Sequence, residues 1–304
     1  MPDMSVQTTR GIALRIGSAG AFSLMSALFK LAATYGAGLP EIFFYRALFG
    51  LPVILIWVLP RHGFRAFKVN SAKAHLGRSA IGIVSMMFTF EALILLPLAE
   101  ATTIIFTGPI FATILSWLIL HEHVGRRRWI AAIVAFAGVI VIARPGASVA
   151  AIAPIGIAVG LGSALGTAGV TVTLRHLGAK ETVAAIVFWF LIACLIFGLP
   201  MLLLFGTPPS WPTLLALATG AVFGGIGQIL MTMSLQAAPI SVLTPFDYLQ
   251  LLAALMLGWL LFGTSPTVNT ITGAVLIAGS GLYTALRERK VHREADVSAT
   301  QPLA

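Results

Sequence analysis

Apolar residues fill this chain in long runs, and short polar loops separate the runs. A helix rises about 1.5 Å per residue, so about 20 apolar residues cross a hydrocarbon core of roughly 30 Å. Within the runs, apolar and polar residues do not alternate, so the pattern excludes the strands of a membrane barrel and predicts helices. We predict ten membrane spans, at residues 13–33, 40–59, 76–96, 100–120, 129–143, 153–174, 182–205, 212–235, 240–262 and 267–286.

The composition indicates an all-α membrane protein and excludes several other classes. Of the 304 residues, 58% are hydrophobic and 10% are charged, whereas soluble domains carry roughly 25% charged residues. Most of the surface must therefore face membrane lipid. The net charge of +9 does not indicate a nucleic-acid partner, because the basic residues sit in short loops between the apolar runs. Cys194 is the only cysteine, so no disulfide can form within the chain.

The distribution of Lys and Arg predicts the orientation of the chain in the membrane. With the N-terminus inside, 16 of the 19 basic residues, Arg15 and Arg78 among them, fall on the cytoplasmic side, and only Arg144 lies outside. Because cytoplasmic loops carry an excess of Lys and Arg, we predict that both termini are cytoplasmic. Lys30 and Arg46 remain inside spans. The polar tail beyond the last span is predicted to be disordered.

The chain contains two copies of one sequence unit. Short motifs recur at offsets of 142, 145 and 148 residues: Pro97 with Pro239, Trp117 with Trp259, residues 11–13 with 156–158, and residues 49–52 with 197–200. We assign residues 1–148 and 149–304 to two repeats of five spans each. Five is an odd number, so the second repeat enters the membrane inverted relative to the first. Inverted repeats build transporters whose substrate site lies where the repeats meet.

A further set of motifs carries a family resemblance. These motifs are residues 96–101, Glu122 with Gly125, Gly138 with Val139, and a weaker second set at residues 238–241, Gly273 and Gly279. With them the chain resembles the drug/metabolite transporter superfamily, EamA type, and most of all YddG-type amino-acid exporters and S-adenosylmethionine carriers. Thr264 replaces the acidic residue that usually ends the ninth span. The resemblance implies a secondary transporter in the bacterial inner membrane that moves small organic solutes by alternating access and needs no cofactor.

The resemblance favours export of aromatic and other hydrophobic amino acids, and two other substrate classes stay open. One is S-adenosylmethionine or a related metabolite, and the other is lipophilic cations, as in a multidrug exporter. The sequence carries no enzyme motif. Residues 121–123 read His-Glu-His, which lacks the spacing of a zinc site and lies beside three consecutive arginines. Direction of transport, energy coupling and oligomeric state are not encoded in any of these motifs.

Charged residues inside spans are candidates for the substrate site, because a charge in a span costs at least roughly 2.5–3.5 kcal/mol. Arg46 and Glu91 lie at matching depths, so we expect either a buried ion pair or two groups that face a cavity, where Arg46 meets a carboxylate. The neighbouring Tyr45 is a further candidate. Lys30 has Arg175 as its repeat partner, and this symmetric placement near span ends is typical of an anchor that reaches the interface. A substrate role for Lys30 is the alternative.

Asp247 is predicted to lie near the middle of the membrane. Its repeat partner is Ile105, which cannot ionise, so the internal symmetry does not explain an acid at this position. The adjacent spans of the second repeat offer no basic residue at a similar depth. We therefore expect either a protonated acid that hydrogen-bonds within the bundle or a partner for a substrate amine or a carried proton.

Aromatic residues and prolines complete the list of candidates. Trp189 and Tyr248 lie at a similar depth and either line the substrate cavity or pack against the core or lipid. Pro109 and Pro245 interrupt the fourth and ninth spans. Proline removes a backbone donor and leaves a carbonyl free, so these two positions are predicted hinges.

Overall fold

In a computed structural model of the protein, the described residues are 4–108, 110–111, 114–115, 126–143, 154–178, 181–238 and 240–300. Within these ranges the chain is helical, with short connecting loops and one 3₁₀ turn at Phe64–Phe67. The α-helices are α1 (Met4–Thr34), α2 (Leu39–His62), α3 (Ala72–Leu95), α4 (Leu98–Ile105), α5 (Arg126–Ala143), α6 (Pro154–Gly178), α7 (Val183–Phe205), α8 (Trp211–Ala237), α9 (Ile240–Asp247), α10 (Leu249–Phe262) and α11 (Val268–Thr300).

Six helical segments are long and apolar enough to cross a membrane, one in each of α1, α2, α3, α6, α7 and α8. Three shorter apolar helices, Trp129–Ile142, Leu249–Phe262 and Val268–Tyr283, lie in other predicted spans. The all-α membrane class is therefore confirmed, while the count of ten spans stays a prediction. The C-terminal tail was predicted to be disordered, but α11 continues through it to Thr300. The tail is rich in Arg, Glu, Lys and Ala, which are strong helix formers.

The helices pair across the two predicted repeats in a reciprocal way. The first helix of one repeat packs along the third helix of the other: α1 lies along α8, and α6 lies along α3. The short helices α4 and α9 have equal lengths of eight residues and stand at the offset of 142 residues that the sequence motifs predicted. These features fit two related halves that pack against each other, so a substrate site is expected between the halves.

Glycines allow close approach where helices of the two repeats meet. A Cβ on Gly166 of α6 would lie 2.6 Å from the Cβ of Ser85 on α3. A Cβ on Gly273 of α11 would lie 2.7 Å from the carbonyl oxygen of Gly138 on α5. Both distances are too short for any side chain other than hydrogen. Close backbone approach of this kind supplies much of the association between helices in lipid.

A buried carboxylate ties the halves together at the end of the bundle that holds the loop between α1 and α2. We name it the Gly36 end, after a residue of that loop. Glu41 accepts a hydrogen bond from the N–H of Gly38 at 3.0 Å and so caps the start of α2. Its other oxygen accepts hydrogen bonds from the N–H and the hydroxyl of Thr207, in the loop between α7 and α8. Glu41 is only 2% exposed. One side chain therefore closes the start of α2 onto a loop of the second repeat.

A second buried carboxylate has the reciprocal role at the opposite end, the Asn70 end. Glu181, which lies just before α7, accepts hydrogen bonds from the N–H groups of Asn70 and Ser71 at 2.9 Å each. His75 Nε2 lies 3.6 Å from the same carboxylate. These donors belong to the loop between α2 and α3 and to the start of α3. Each repeat thus supplies one carboxylate that holds a loop of the other repeat, at opposite ends of the bundle.

Candidate functional site

Two arginines meet in the interior of the bundle, and we name them the central arginine pair. Arg46 comes from α2 and Arg78 from α3, and they are 5% and 3% exposed. Both guanidinium groups lie against the ring of Phe190 on α7, with Cζ at 5.9 Å from the ring centroid for Arg46 and 4.3 Å for Arg78. Arg46 also lies 6.0 Å from the ring centroid of Phe90. Side chains of both repeats therefore build this cluster.

Neither member of the central arginine pair has a counter-ion among the described residues. The Nε and Nη1 atoms of Arg46 and of Arg78 are buried and have no hydrogen-bond partner in the described chain. The ion pairs of that part of the chain involve other residues. An unpaired charge in a membrane interior costs at least roughly 2.5–3.5 kcal/mol. Two buried positive charges that lie close together also create a strong positive potential. Such a site favours an anionic group.

A glycine makes room for the Arg78 guanidinium, and a second glycine lies near Arg46. A Cβ on Gly82, one turn after Arg78 on α3, would lie 2.1 Å from Arg78 Nη1 and 2.7 Å from Cε2 of Phe190. The Arg78 side chain therefore lies along its own helix, in a gap that only a glycine leaves open. A Cβ on Gly224 of α8 would lie 3.8 Å from Arg46 Nε. Backbone of α3 and α8 and the rings of Phe90 and Phe190 thus lie close to the cluster.

The internal repeat shows that the positive charge is not a scaffold feature. The offset of 148 residues pairs Arg46 with Cys194 on α7. Cys194 is fully buried and close enough to both guanidinium groups to interact with them electrostatically. A thiol sulfur is only a weak hydrogen-bond acceptor. Cys194 therefore cannot replace a carboxylate as the partner of either arginine.

The structure bears on two expectations about these arginines. Of the two alternatives for Arg46 and Glu91, the buried ion pair does not form: Glu91 is half-buried on α3 and lies outside the ion pairs of the described chain. Arg78, which charge counting placed on the cytoplasmic side, is buried in the second turn of α3. Counting Lys and Arg near span ends does not separate a loop from the first two turns of a helix. That is why sequence analysis missed Arg78 as a site residue.

Asp247 forms an ion pair with Arg15, so the expectation that it lacks a buried cationic partner was wrong. Arg15 Nε donates to one carboxylate oxygen, and Nη2 donates to the other at 2.7 Å. The two side chains are 13% and 18% exposed. The partner comes from α1 of the first repeat, whereas the expectation considered only basic residues in the adjacent spans of the second repeat. The pair joins the two repeats between α1 and the end of α9.

The matching position in the other half of the molecule is apolar. The offsets of 145 and 142 residues relate Arg15 to Gly160 and Asp247 to Ile105. There a Cβ on Gly160 of α6 would lie 2.8 Å from Cγ2 of Ile104 on α4. Close apolar packing thus joins α6 to α4, where an ion pair joins α1 to α9. The ion pair is an asymmetric addition to a symmetric framework.

Tyr248 lies at the break between α9 and α10. It is 9% exposed, and its ring lies 5.5 Å from that of Phe106, between ring centroids. Its hydroxyl is buried without a partner in the described chain and lies against Gly281 of α11, where an added Cβ would come within 1.6 Å of the oxygen. The break follows Pro245, which lies within α9. Pro109 lies outside the described residues, so both hinge assignments stay predictions.

Lys30 has hydrogen-bond partners on the backbone of a neighbouring helix. Lys30, near the end of α1, donates hydrogen bonds to the carbonyl oxygens of Ile94 and Leu96 at 3.0 and 2.8 Å. A cation at this position satisfies the free carbonyls at the C-terminal end of α3. Lys30 therefore has a structural partner, while its role in substrate binding stays a prediction.

The contacts recorded for Tyr45 and Trp189 are with residues other than the central arginine pair. Tyr45 stacks on Phe49 along α2, with ring centroids 5.8 Å apart. Trp189 is 39% exposed, and its Nε1 donates to the carbonyl oxygen of Phe67 at 2.9 Å. The next residue on α7, Phe190, faces the arginines instead. A helix turns about 100° per residue, so adjacent positions face different surroundings, and a run of aromatic letters does not identify the inward one.

Comparisons with known proteins agree with this architecture. The EamA-like transporter family matches the chain twice, over residues 9–144 and 154–285. Each match falls within one of the predicted repeats, residues 1–148 and 149–304. A solved crystal structure that is 18% identical aligns over 93% of this chain and 99% of that chain, with a TM-score of 0.68. At this identity the likeness shows a shared fold.

Several curated relatives are transporters of small molecules. The pseudopaline exporter CntI of Pseudomonas aeruginosa is 29% identical over 88% of this chain and 93% of its own length. A riboflavin transporter of Rhizobium johnstonii is 27% identical over 81% of this chain and 80% of its own length. An S-adenosylmethionine uptake transporter of Rickettsia prowazekii is 26% identical over 82% of this chain and 84% of its own length.

These relatives and the two family matches define the class of protein. The matched residues cover most of the chain, and the relatives are transporters, not enzymes. Long apolar helices, reciprocal packing of two halves and a charged interior cluster all suit a multi-pass carrier. The chain therefore belongs to the EamA-like transporter family of the drug/metabolite transporter superfamily and transports a small molecule across a membrane.

Proposed function

We propose that the protein exports small organic solutes that carry a carboxylate, with aromatic and other hydrophobic amino acids among them. The observation that carries this proposal is Arg46, buried where the repeats meet and without a counter-ion among the described residues. A guanidinium is a planar fork of N–H donors that matches the two oxygens of a carboxylate. A bound carboxylate would offset the cost of the buried charge.

The surroundings of Arg46 support a substrate with an apolar part. Phe90 and Phe190 lie within about 6 Å of the guanidinium and offer ring surfaces to an apolar or aromatic side chain. Ligand sites of this composition use a few polar groups for orientation and apolar walls for most of the contact. Amino acids with aromatic or apolar side chains combine both features, as the sequence resemblance to amino-acid exporters implies.

The same contacts favour S-adenosylmethionine over lipophilic cations as an alternative substrate. S-adenosylmethionine carries a carboxylate and stays open, and one relative is named as an uptake transporter for it. Lipophilic cations are less well supported, because the acid that would hold them, Asp247, is already paired with Arg15. A cation would also meet the uncompensated charge of the central arginine pair. We assign export as the direction because the pseudopaline relative is named as an exporter.

The proposed transport cycle rests on the two repeats. In this proposal, ten spans form two inverted repeats in a bacterial inner membrane, with both termini cytoplasmic, and the repeats rock about the site between them. The Gly36 end then faces outward and the Asn70 end faces the cytoplasm. The hydrogen bonds of Glu41 and Glu181 close the respective ends, and each must open in turn as the substrate enters and leaves.

Counterflow into proteoliposomes tests the substrate class. Vesicles that hold the purified protein are loaded with unlabelled solute, and uptake of labelled phenylalanine, S-adenosylmethionine or tetraphenylphosphonium is measured. We expect exchange of a carboxylate-bearing solute and none of the phosphonium. Arg46→Ala should weaken exchange at least about tenfold, since a hydrogen bond to a charged group contributes about 1.5–3 kcal/mol. Arg46→Lys should restore it only in part, because an ammonium lacks the fork.

The matched control is Arg65→Ala, which removes an arginine from the exposed 3₁₀ turn. It should exchange phenylalanine as the unchanged protein does. Phosphonium exchange without exchange of either carboxylate-bearing solute would overturn the proposal. So would full activity of Arg46→Ala at equal protein incorporation.

A further inference from the structure

We infer that the central arginine pair is a two-point anion site, and that the preferred solute carries two carboxylates, one for each guanidinium, on an apolar body that lies against Phe190. This inference rests on the proposed function and deepens it. The proposed function needs only Arg46 and a single carboxylate. The second point is Arg78, which neither the sequence motifs nor the comparisons assign to any role.

Other cations of the helices show what a structural partner looks like in this protein. Arg15 is held by the carboxylate of Asp247, and Lys30 is held by two backbone carbonyls at the end of α3. Arg15 leaves only its Nη1 atom buried without a partner, whereas Arg78, which is 3% exposed, leaves both Nε and Nη1 without one in the described chain. Buried polar groups in folded proteins are nearly always hydrogen-bonded. The missing partner of Arg78 is therefore best explained by a ligand.

The position of Arg78 relative to Arg46 favours one ligand that contacts both. The two guanidinium groups come from different helices and lie against the same Phe190 ring. Two like charges that share a buried site each make the other more unfavourable. A single carboxylate would compensate one charge and leave the other unpaired. A dicarboxylate would compensate both, so the second carboxylate should add substantially to binding.

The local sequence builds a place for the Arg78 guanidinium. With a Cβ at position 82, Nη1 of Arg78 would be 2.1 Å away and the Phe190 ring 2.7 Å away, so any residue except glycine displaces the guanidinium or the ring. Gly82 is thus required by the placement of Arg78 and not by a turn, since it lies in the middle of α3. This observation is independent of the missing partner, and it offers a second way to perturb the site.

The aromatic ring distinguishes an organic dianion from an inorganic one. Phe190 is 4% exposed, and both guanidinium groups lie against its ring. Inorganic phosphate would contact the guanidinium groups but would add no apolar contact to the ring. An apolar or aromatic body between two carboxylates satisfies all three groups. We therefore commit to an organic dicarboxylate.

The test compares two labelled acids that differ by one carboxylate. Phenylsuccinate is 3-phenylpropanoate with a second carboxylate on the benzylic carbon, so the apolar body is the same. Half-saturating concentrations for counterflow are measured in proteoliposomes of the full-length protein. We expect a value at least about tenfold lower for phenylsuccinate, as one further charge-assisted hydrogen bond predicts. Arg78→Gln should remove that preference and bring the two acids within about threefold of each other. Arg46→Gln should weaken both acids.

Two further measurements keep the inference testable if Arg78→Gln does not fold. Gly82→Ala retains Arg78 but displaces its guanidinium, and it should reduce the preference for phenylsuccinate in the same direction. In the unchanged protein, phenylsuccinate should raise the melting temperature more than 3-phenylpropanoate at equal concentration, since a tighter ligand stabilises the folded state more.

The outcomes separate this inference from the proposed function. Equal half-saturating concentrations of the two acids in the unchanged protein would refute the binding of a second carboxylate and leave the proposed function standing. A loss of both acids to the same extent in Arg78→Gln would also overturn it, because Arg78 would then act on the fold or on any anion. Inorganic phosphate that competes as strongly as phenylsuccinate would overturn the organic dicarboxylate. Exchange of neither acid and no phenylalanine exchange would mean that the proposed function itself is wrong.

Discussion

The ion pair between Arg15 and Asp247 offers a quantitative test of how the two repeats are joined. We consider Arg15→Met, Asp247→Ile and the double variant. Isoleucine is the residue type that the sequence places at the matching position of the first repeat, Ile105. Methionine keeps the length of arginine without its charge. Each single change leaves one charge without its partner, whereas the double change leaves an apolar contact.

The expected magnitude follows from the geometry of the pair. Breaking a fully buried ion pair costs about 3–5 kcal/mol, while an exposed pair contributes about 0–1 kcal/mol. The pair is bidentate, and its side chains are 13% and 18% exposed, so it lies nearer the buried limit. We expect each single variant to lose about 2–3 kcal/mol, and the double variant to lose about 1 kcal/mol or less.

The assay is equilibrium unfolding of the purified protein in mixed micelles, with the four proteins compared as a double-mutant cycle. Glu91→Gln is the matched control, since Glu91 is an acidic residue of a helix without an ion pair in the described chain. It should change stability by less than about 0.5 kcal/mol. The reasoning fails if Asp247→Ile alone is as stable as the unchanged protein. It also fails if the two single losses simply add up in the double variant, because a pair that stabilises must show coupling.

Two further predictions concern tight contacts elsewhere in the bundle. Gly281→Ala should destabilise the protein by about 1–3 kcal/mol, because the added methyl overlaps the Tyr248 hydroxyl. Adding Tyr248→Phe to that variant should recover part of the loss in thermal melts. Melts that show no recovery would contradict the assigned clash. Glu181→Ala should cost about 2–3 kcal/mol in the same melts, because it removes the acceptor of two backbone N–H groups at the Asn70 end; a loss below about 0.5 kcal/mol would show that this contact does not hold the end closed.

Much of the architecture was determined by the sequence alone. The apolar runs, the recurring motifs and the low charge predicted an all-α membrane transporter, because a bilayer demands long helices with satisfied backbone groups. The offset of 142 residues relates the two short helices Leu98–Ile105 and Ile240–Asp247, although full-length spans were predicted there. Arg46 was identified as a site candidate because a charge inside a span is costly and therefore informative.

Only the tertiary structure decided which side chains meet. Arg15 and Asp247 lie 232 residues apart in the chain, and Arg78 reaches Phe190 from another repeat. In soluble helices a polar face marks the outside, but here apolar residues cover the lipid-facing and inward-facing sides alike. The sequence pattern therefore locates the helices along the chain without determining their rotation about their axes. Rotation decides that Phe190 faces the arginines while Trp189 faces outward, and it leaves Arg46 apart from Glu91.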